Sequence, residues 1–193
     1  MIEITLPTVE KTEIPLTVDK YYIAQSKLDD SERGRELLYT YATSDEKGNF
    51  KIEVILICTE TNTFITQNVN EYENFKLADS TIDYKMPRNY ISCNRSFFGE
   101  EDGLNLNKFS ENLLEKVSGM YMIVNKSRKN KDIILVNENE DSVVVLSREQ
   151  NDLFILSKNY IKKYYDLYLL KTTDYSFLNG GVDLEIDIKV ELI

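Results

Sequence analysis

The sequence of 193 residues contains no histidine and no tryptophan, and only two cysteines and seven glycines. Because it lacks imidazole, we exclude Ser-His-Asp and Cys-His nucleophile systems, His-ligated zinc sites and the kinase catalytic loop. The glycines form neither a Gly-x-x-x-x-Gly-Lys loop nor a Gly-x-Gly-x-x-Gly loop, so no phosphate-binding loop of backbone amides is indicated. These absences favour a binding protein over an enzyme, and we expect neither a catalytic residue set nor a cofactor.

The two cysteines are too few for the disulfide framework of a small secreted scaffold. Cys58 ends the apolar run that starts at Val54 and is expected to be a small core residue. Since neither Cys58 nor Cys93 has a neighbouring cysteine or any histidine, the sequence favours a reducing, cytoplasmic compartment. No basic and apolar leader is present at the amino terminus, and no window approaches the ~18 apolar residues of a membrane span, so we expect no membrane association.

Acidic residues dominate the charge: 33 Asp and Glu against 23 Lys and Arg give a formal net charge of −10. A field of this sign repels phosphate backbones and anionic membranes. A protein partner with a basic surface is therefore favoured, and a nucleic-acid partner is disfavoured. The sequence does not indicate the oligomeric state.

Strand-like patterns predominate along the chain. The clearest is the carboxyl end, where Leu184 to Leu192 alternates apolar and charged residues with the period of two that a strand with one wet face requires. Glu36–Thr43, Phe50–Glu60 and Thr63–Val69 suggest a hairpin continued as a meander. A second group of short apolar runs, separated by charged or Asn-rich turns, suits a meander or small barrel. These runs are Met120–Asn125, Asp132–Asn137, Ser142–Ser147 and Leu153–Leu156.

About two helices are expected, which makes the predicted class α+β with predominantly antiparallel β-structure. One helix runs over Lys108–Ser118, capped by Asn107 and terminated by Gly119. The other starts after Ser157. It either carries apolar and aromatic residues on helical spacing as far as Tyr168, or ends after one or two turns and leads into Tyr168-Leu169-Leu170. The chain is expected to form one domain over residues 1–193, or two lobes over residues 1–98 and 107–193 joined near residues 99–106. The first 34 residues carry no pattern that we can assign.

Acidic residues alternate near the carboxyl end in Asp183-x-Glu185-x-Asp187-x-Lys189. A strand presents all four side chains on one face, where carboxylates and a lysine could hold Mg²⁺ and orient a water. The pattern resembles the acidic-x-Lys half of the PD-(D/E)xK nuclease motif, which implies a metal-dependent nuclease. It departs from that motif because no separate upstream Asp is identifiable and no helix can follow before Ile193. The alternative reading is the charged outer face of an amphipathic strand.

Basic residues cluster in one place, Lys126, Arg128, Lys129 and Lys131, which we expect to form a hairpin tip. A tyrosine-rich segment that includes Tyr164 and Tyr165 follows in sequence. Cations interleaved with aromatic rings suit a groove for single-stranded nucleic acid, since the charges contact phosphates and the rings stack on bases. The alternative is a solvated turn beside a helix whose tyrosines pack inward.

Three functions are consistent with these observations. The favoured one is a non-enzymatic, acidic protein-binding module, such as an inhibitor or immunity-type protein of bacterial or phage origin. The others are a metal-dependent carboxylate enzyme built on Asp183, Glu185 and Asp187, and a single-stranded nucleic-acid binder built on the basic cluster.

Overall fold

The computed structural model describes residues 2–7, 16–29, 31, 34–84, 90–92, 118–170 and 186–193. This part of the chain forms thirteen strands, a single α-helix, α1 (Lys158–Tyr164), and a short 3-10 helix (Val69–Glu71). The strands are β1 (Ile2–Thr5), β2 (Tyr21–Ser26), β3 (Arg35–Ser44), β4 (Phe50–Cys58), β5 (Thr63–Asn68), β6 (Tyr72–Tyr84), β7 (Tyr90–Ser92), β8 (Gly119–Asn125), β9 (Lys131–Val136), β10 (Ser142–Ser147), β11 (Asp152–Ser157), β12 (Tyr165–Leu170) and β13 (Ile186–Leu192).

Seven strands form the first sheet, in the order β1-β13-β6-β2-β3-β4-β5. Strands β3, β4 and β5 form the antiparallel meander that the sequence predicts, and β2 pairs antiparallel with β3. Strand β13 returns from the carboxyl end to pair antiparallel with β6 and parallel with β1. Both ends of the chain therefore meet at one edge of this sheet.

Six strands form the second sheet, in the order β11-β10-β9-β8-β12-β7, and all of its pairs are antiparallel. Strands β8 to β11 are the meander expected from the short apolar runs after Gly119. Strand β12 pairs with β8 and joins β7 to the sheet.

The two sheets pack face to face across one apolar cluster, to which β3, β4 and β6 contribute from one side and β8, β9 and β10 from the other. Buried hydrogen bonds cross the same interface. The Thr63 hydroxyl donates to the Val136 carbonyl (2.6 Å), and the Tyr84 hydroxyl donates to the Leu146 carbonyl (2.8 Å). The sheets therefore share a core that is tied at several points by polar contacts.

Helix α1 confirms the start predicted after Ser157, whose side-chain oxygen accepts a hydrogen bond from the Tyr160 backbone N–H (3.1 Å). The shorter predicted extent is confirmed, because the helix ends at Tyr164. The longer extent is wrong, since Tyr165–Leu170 is strand β12. The other predicted helix falls on residues outside the described part, apart from Ser118, which is not helical. The β-rich, antiparallel character is confirmed, with one helix in the described residues rather than two.

Several strands were not predicted, namely β1, β2, β6, β7 and β12. Cys58 was expected in the core but lies half-buried at the end of β4, where burial raises the pKa of its thiol. The proposed joint at residues 99–106 lies outside the described residues, so the division into two lobes stays a prediction. No helix in the described part is long and apolar enough to cross a membrane.

Candidate functional site

Carboxylates line the outward surface of the first sheet at its β1-β13-β6 edge. Along β13, Ile186, Ile188 and Val190 are buried in the shared core, whereas Asp187 and Lys189 between them are exposed. This is the alternation predicted for the carboxyl end. We define the acidic face by its five exposed carboxylates, which are Glu3, Asp79, Asp83, Asp187 and Glu191.

Strand pairing aligns like charges on this face. Asp187 lies directly opposite Asp83 on β6 and directly opposite Glu3 on β1, so three carboxylates form one row across three strands. Glu191 lies opposite Asp79 in a second like-charged pair. Like charges placed directly opposite one another destabilise a sheet. The row therefore lowers the stability of the folded sheet unless a positive charge lies close to it.

A shallow pocket of about 280 Å³ opens beside the row. Its lining residues are Thr81, Ile82, Asp83, Arg148, Asn151, Asp187 and Lys189. Arg148, from the β10–β11 turn, forms an ion pair with Asp83 (Nε to Oδ1, 3.5 Å) in which both side chains are more than half exposed. In the same turn, the Asn151 side-chain oxygen accepts from the Ile82 backbone N–H (2.8 Å) and fixes the wall of the pocket.

The predicted metal ligands are only partly on this face. Asp187 is exposed next to Lys189, while Asp183 and Glu185 lie outside the described residues. Within the described ranges, no group of three His, Cys, Asp or Glu residues is placed to hold a metal ion. The metal site therefore stays a prediction.

The basic cluster forms a tight turn between β8 and β9, as predicted. The Asn125 side-chain oxygen accepts from the backbone N–H groups of Ser127 and Arg128 (2.9 Å each), and its carbonyl accepts from the Lys129 N–H (2.9 Å). Lys129 occupies the left-handed region (φ 63°), a conformation that closes the turn. The side chains of Lys126, Arg128, Lys129 and Lys131 are exposed.

The structure brings this turn against the carboxyl end of α1. The backbone N–H of Lys126 donates to the Tyr164 carbonyl (3.0 Å), and its ammonium donates to the carbonyls of Lys163 (3.2 Å) and Lys162 (3.4 Å). A cation at this end of a helix satisfies carbonyls that have no partner within the helix. Lys126 is therefore the residue that joins the turn to the tyrosine-bearing helix.

Tyrosine rings gather on the outside of α1. The Tyr160 ring lies 4.6 Å from that of Tyr164 and 6.3 Å from that of Tyr165, measured between centroids. Tyr160 and Tyr164 are 45% and 41% exposed, so these rings do not pack inward. Tyr165 is half-buried and packs on the apolar outer face of the second sheet.

Buried tyrosines elsewhere have structural partners, whereas the buried Oδ1 atom of Asp132 has no hydrogen-bond partner among the described residues. Tyr21, whose pKa is raised by burial, donates to the Asp152 carboxylate (3.0 Å) and accepts from the Leu153 N–H (2.9 Å). Burial likewise raises the pKa of Tyr84 to about 12. Burial also raises the pKa of Asp132, which is 2% exposed. The tyrosines connect the two sheets and remain protonated at neutral pH.

Sequence reasoning missed most of the acidic face. On this face only Asp187, Lys189 and Glu191 stood in a recognised pattern, because Glu3, Asp79 and Asp83 belong to strands that the sequence did not reveal. Their alignment depends on pairing between the two ends of the chain. Only the pairing register could have identified the row, and local patterns do not encode it.

Comparison with protein-family models gave no match to this chain. No curated protein and no solved structure is significantly similar to it.

Proposed function

We propose that this protein is a non-enzymatic binding module whose acidic face binds the basic surface of a protein partner. The observation that carries the proposal is the row of three exposed carboxylates, Glu3, Asp187 and Asp83, aligned in register across three strands beside a pocket. Such a module fits an inhibitor or immunity-type protein of a bacterial or phage system.

The row of carboxylates lowers the stability of the isolated protein, because each like-charged pair opposes pairing of the strands that carry it. A partner that inserts a cation between Asp187 and its neighbours would remove this repulsion and add attraction, so the complex is favoured relative to the isolated protein. The net charge of −10 adds a long-range field that speeds the encounter with a basic partner.

The size of the pocket suits a single side chain. Pockets for cofactors and small molecules range from roughly 300 to 1,000 Å³, so a volume of about 280 Å³ lies just below that range. Its charged walls are two carboxylates, Asp83 and Asp187, and two exposed cations, Arg148 and Lys189, which a partner's cation would have to displace from the carboxylates. We expect an arginine or lysine of the partner to be anchored there, in the manner of an interface hot spot.

Arg148 does not prevent this use of the pocket. Its ion pair with Asp83 is solvent-exposed, and exposed pairs of this kind contribute little free energy. An incoming arginine, which can bind a carboxylate through two parallel hydrogen bonds, can therefore displace Arg148 from Asp83.

The proposal is tested with a fluorescently labelled oligo-arginine peptide, titrated with the protein and followed by anisotropy. The double variant Asp83→Asn/Asp187→Asn should weaken binding about tenfold or more at low salt. The matched control is Glu46→Gln/Glu60→Gln, which removes two exposed carboxylates from the β3–β4 and β4–β5 turns. Equal weakening by both double variants would show that only net charge matters and would refute the proposal.

A further inference from the structure

We propose that the basic turn and helix α1 together form a binding site for single-stranded nucleic acid, separate from the acidic face. We define the basic–aromatic patch by the cations Arg128, Lys129 and Lys163 and the exposed rings Tyr160 and Tyr164, beside which Tyr165 is half-buried. Charge complementarity with a phosphate backbone, combined with exposed rings, identifies this ligand.

The patch is held in a fixed shape by its own hydrogen bonds. Asn125 constrains the turn through two backbone N–H groups, and Lys126 fixes the turn to α1 through three carbonyls. Strand pairing also places the turn beside the carboxyl end of α1, because Asn125 on β8 lies opposite Tyr165 on β12. The cations and the rings are therefore presented together without a conformational change, which lowers the cost of binding.

The rings are arranged for stacking. Tyr160 and Tyr164, the most exposed tyrosines among the described side chains, lie side by side with their planes tilted by 47°. The Lys163 ammonium lies over the face of the Tyr164 ring, 4.9 Å from the ring centroid. A base that stacks on this face would displace the ammonium, which would then lie close to the adjoining phosphate.

The overall negative charge of the protein does not extend to this patch. Four of the six residues from Lys126 to Lys131 are cationic. The acidic side chains nearest in sequence are Asp132 and Asp166, and neither is fully exposed. Burial favours the neutral form of Asp132, as its raised pKa indicates. Phosphates arriving at the turn therefore meet cations first.

Single strands are the expected form of the ligand. Bases within a duplex are stacked on each other and cannot stack on protein rings, whereas single strands expose both faces of each base. The patch also lies on a turn and one short helix, which provide no element long enough to read a groove. Recognition should consequently be tolerant of sequence.

The test is a fluorescence anisotropy titration of labelled oligothymidylate and oligouridylate, each as a single strand, with the full chain. Arg128→Gln/Lys129→Gln should weaken binding about tenfold, because two phosphate contacts are lost. The matched control, Lys20→Gln/Lys47→Gln, removes two exposed cations outside the turn and α1 and should leave the affinity within about twofold of the wild type. Raising the salt from about 50 to about 200 mM should weaken binding roughly 20-fold if three phosphates are neutralised.

A pair of ring variants separates stacking from a purely structural effect. Tyr164→Phe keeps the ring and should retain affinity, whereas Tyr164→Leu should lose about fivefold or more. Duplex DNA of equal length should bind more weakly than either single strand. The proposal is overturned if neither oligonucleotide binds, if Arg128→Gln/Lys129→Gln binds like the wild type, or if duplex binds as tightly as the single strands. It is equally overturned if Tyr164→Leu and Tyr164→Phe behave alike.

Discussion

Replacing Asp187 by asparagine should stabilise the protein, since Asp187 is the middle carboxylate of the row. It has like-charged neighbours on both sides, Asp83 and Glu3. Two unit charges about 5 Å apart repel by roughly 0.8 kcal/mol in a medium as polar as water. Mutational data on cross-strand pairs give about 0.2–1 kcal/mol for each pair. Because exposed side chains can turn away from each other, we expect a total gain of about 1 kcal/mol.

Urea unfolding is a suitable assay. The chain has 13 tyrosines and no tryptophan, so tyrosine emission and far-ultraviolet circular dichroism can both follow the transition. With a denaturant slope of about 2.5 kcal/mol/M, a gain of about 1 kcal/mol raises the midpoint by roughly 0.4 M. In about 1 M salt the screening length falls to about 3 Å, so most of this gain should disappear.

Two control variants sharpen the result. Glu46→Gln removes one exposed carboxylate from the β3–β4 turn and should shift the midpoint much less. Lys189→Gln removes a cation from the acidic face and should lower the midpoint. A loss of stability in Asp187→Asn, or a gain that does not change with salt, would show that the row is not repulsive and would refute the reasoning.

Three further predictions concern the folded structure. Tyr84→Phe should lower the free energy of unfolding by about 1–2 kcal/mol in urea titrations, because the buried hydroxyl donates to the Leu146 carbonyl and accepts from the Arg148 N–H; no loss would mean that these bonds are not maintained. Asp132→Asn should make the protein more stable at neutral pH. Burial raises the folded-state pKa of Asp132 above its unfolded value, so its contribution is full at low pH and is lost as the pH rises through the folded-state pKa. The stability difference between variant and wild type should thus grow from acidic to neutral pH, and a constant difference would contradict the assignment. Gly34→Ala should lower the melting temperature, with a cost of about 1–3 kcal/mol, because an added Cβ would lie 1.9 Å from the Asp29 carbonyl oxygen; an unchanged melting temperature would show that this backbone can move aside.

Local patterns in the sequence predicted the strands that keep a regular period. Strand β13 and the β3–β4 and β8–β9 hairpins were found because their apolar residues and turns follow the expected spacing. The start of α1 was also found, because Ser157 is a good N-cap. Its end was left open between a short and a long helix, because Tyr164, Tyr165 and Tyr168 fit a helix and a strand equally well.

The longest strand, β6, was missed for a physical reason. Tyr72 packs on the outer cluster of the first sheet and Ala78 in the inner core, although residues six apart in a regular strand face the same side. The pairing of β2 with β6 shifts register between Ile23 and Gln25, and Asn74 has a positive φ of 55°. This bulge reverses the alternation, so the sequence of β6 shows no constant period.

The two candidate sites also differ in how far local sequence patterns could predict them. The basic turn and the tyrosines were considered as one groove in one of two readings of the sequence, and the contact between Lys126 and Tyr164 brings them together. The acidic row was not predicted, since Glu3 and Asp187 are aligned by a parallel pair that joins opposite ends of the chain. A contact between residues so far apart along the chain leaves no local pattern in the sequence.

The most direct test of the proposed function is a comparative capture from lysate with three immobilised proteins: the wild type, Asp83→Asn/Asp187→Asn and Glu46→Gln/Glu60→Gln. A protein held by the wild type is identified, purified and titrated against all three. We predict that this partner has a basic surface and that it binds the Glu46→Gln/Glu60→Gln protein as it binds the wild type. High salt should release it from both proteins, and the Asp83→Asn/Asp187→Asn protein should bind it more weakly. A partner that binds Asp83→Asn/Asp187→Asn as tightly as the wild type would contradict the proposal.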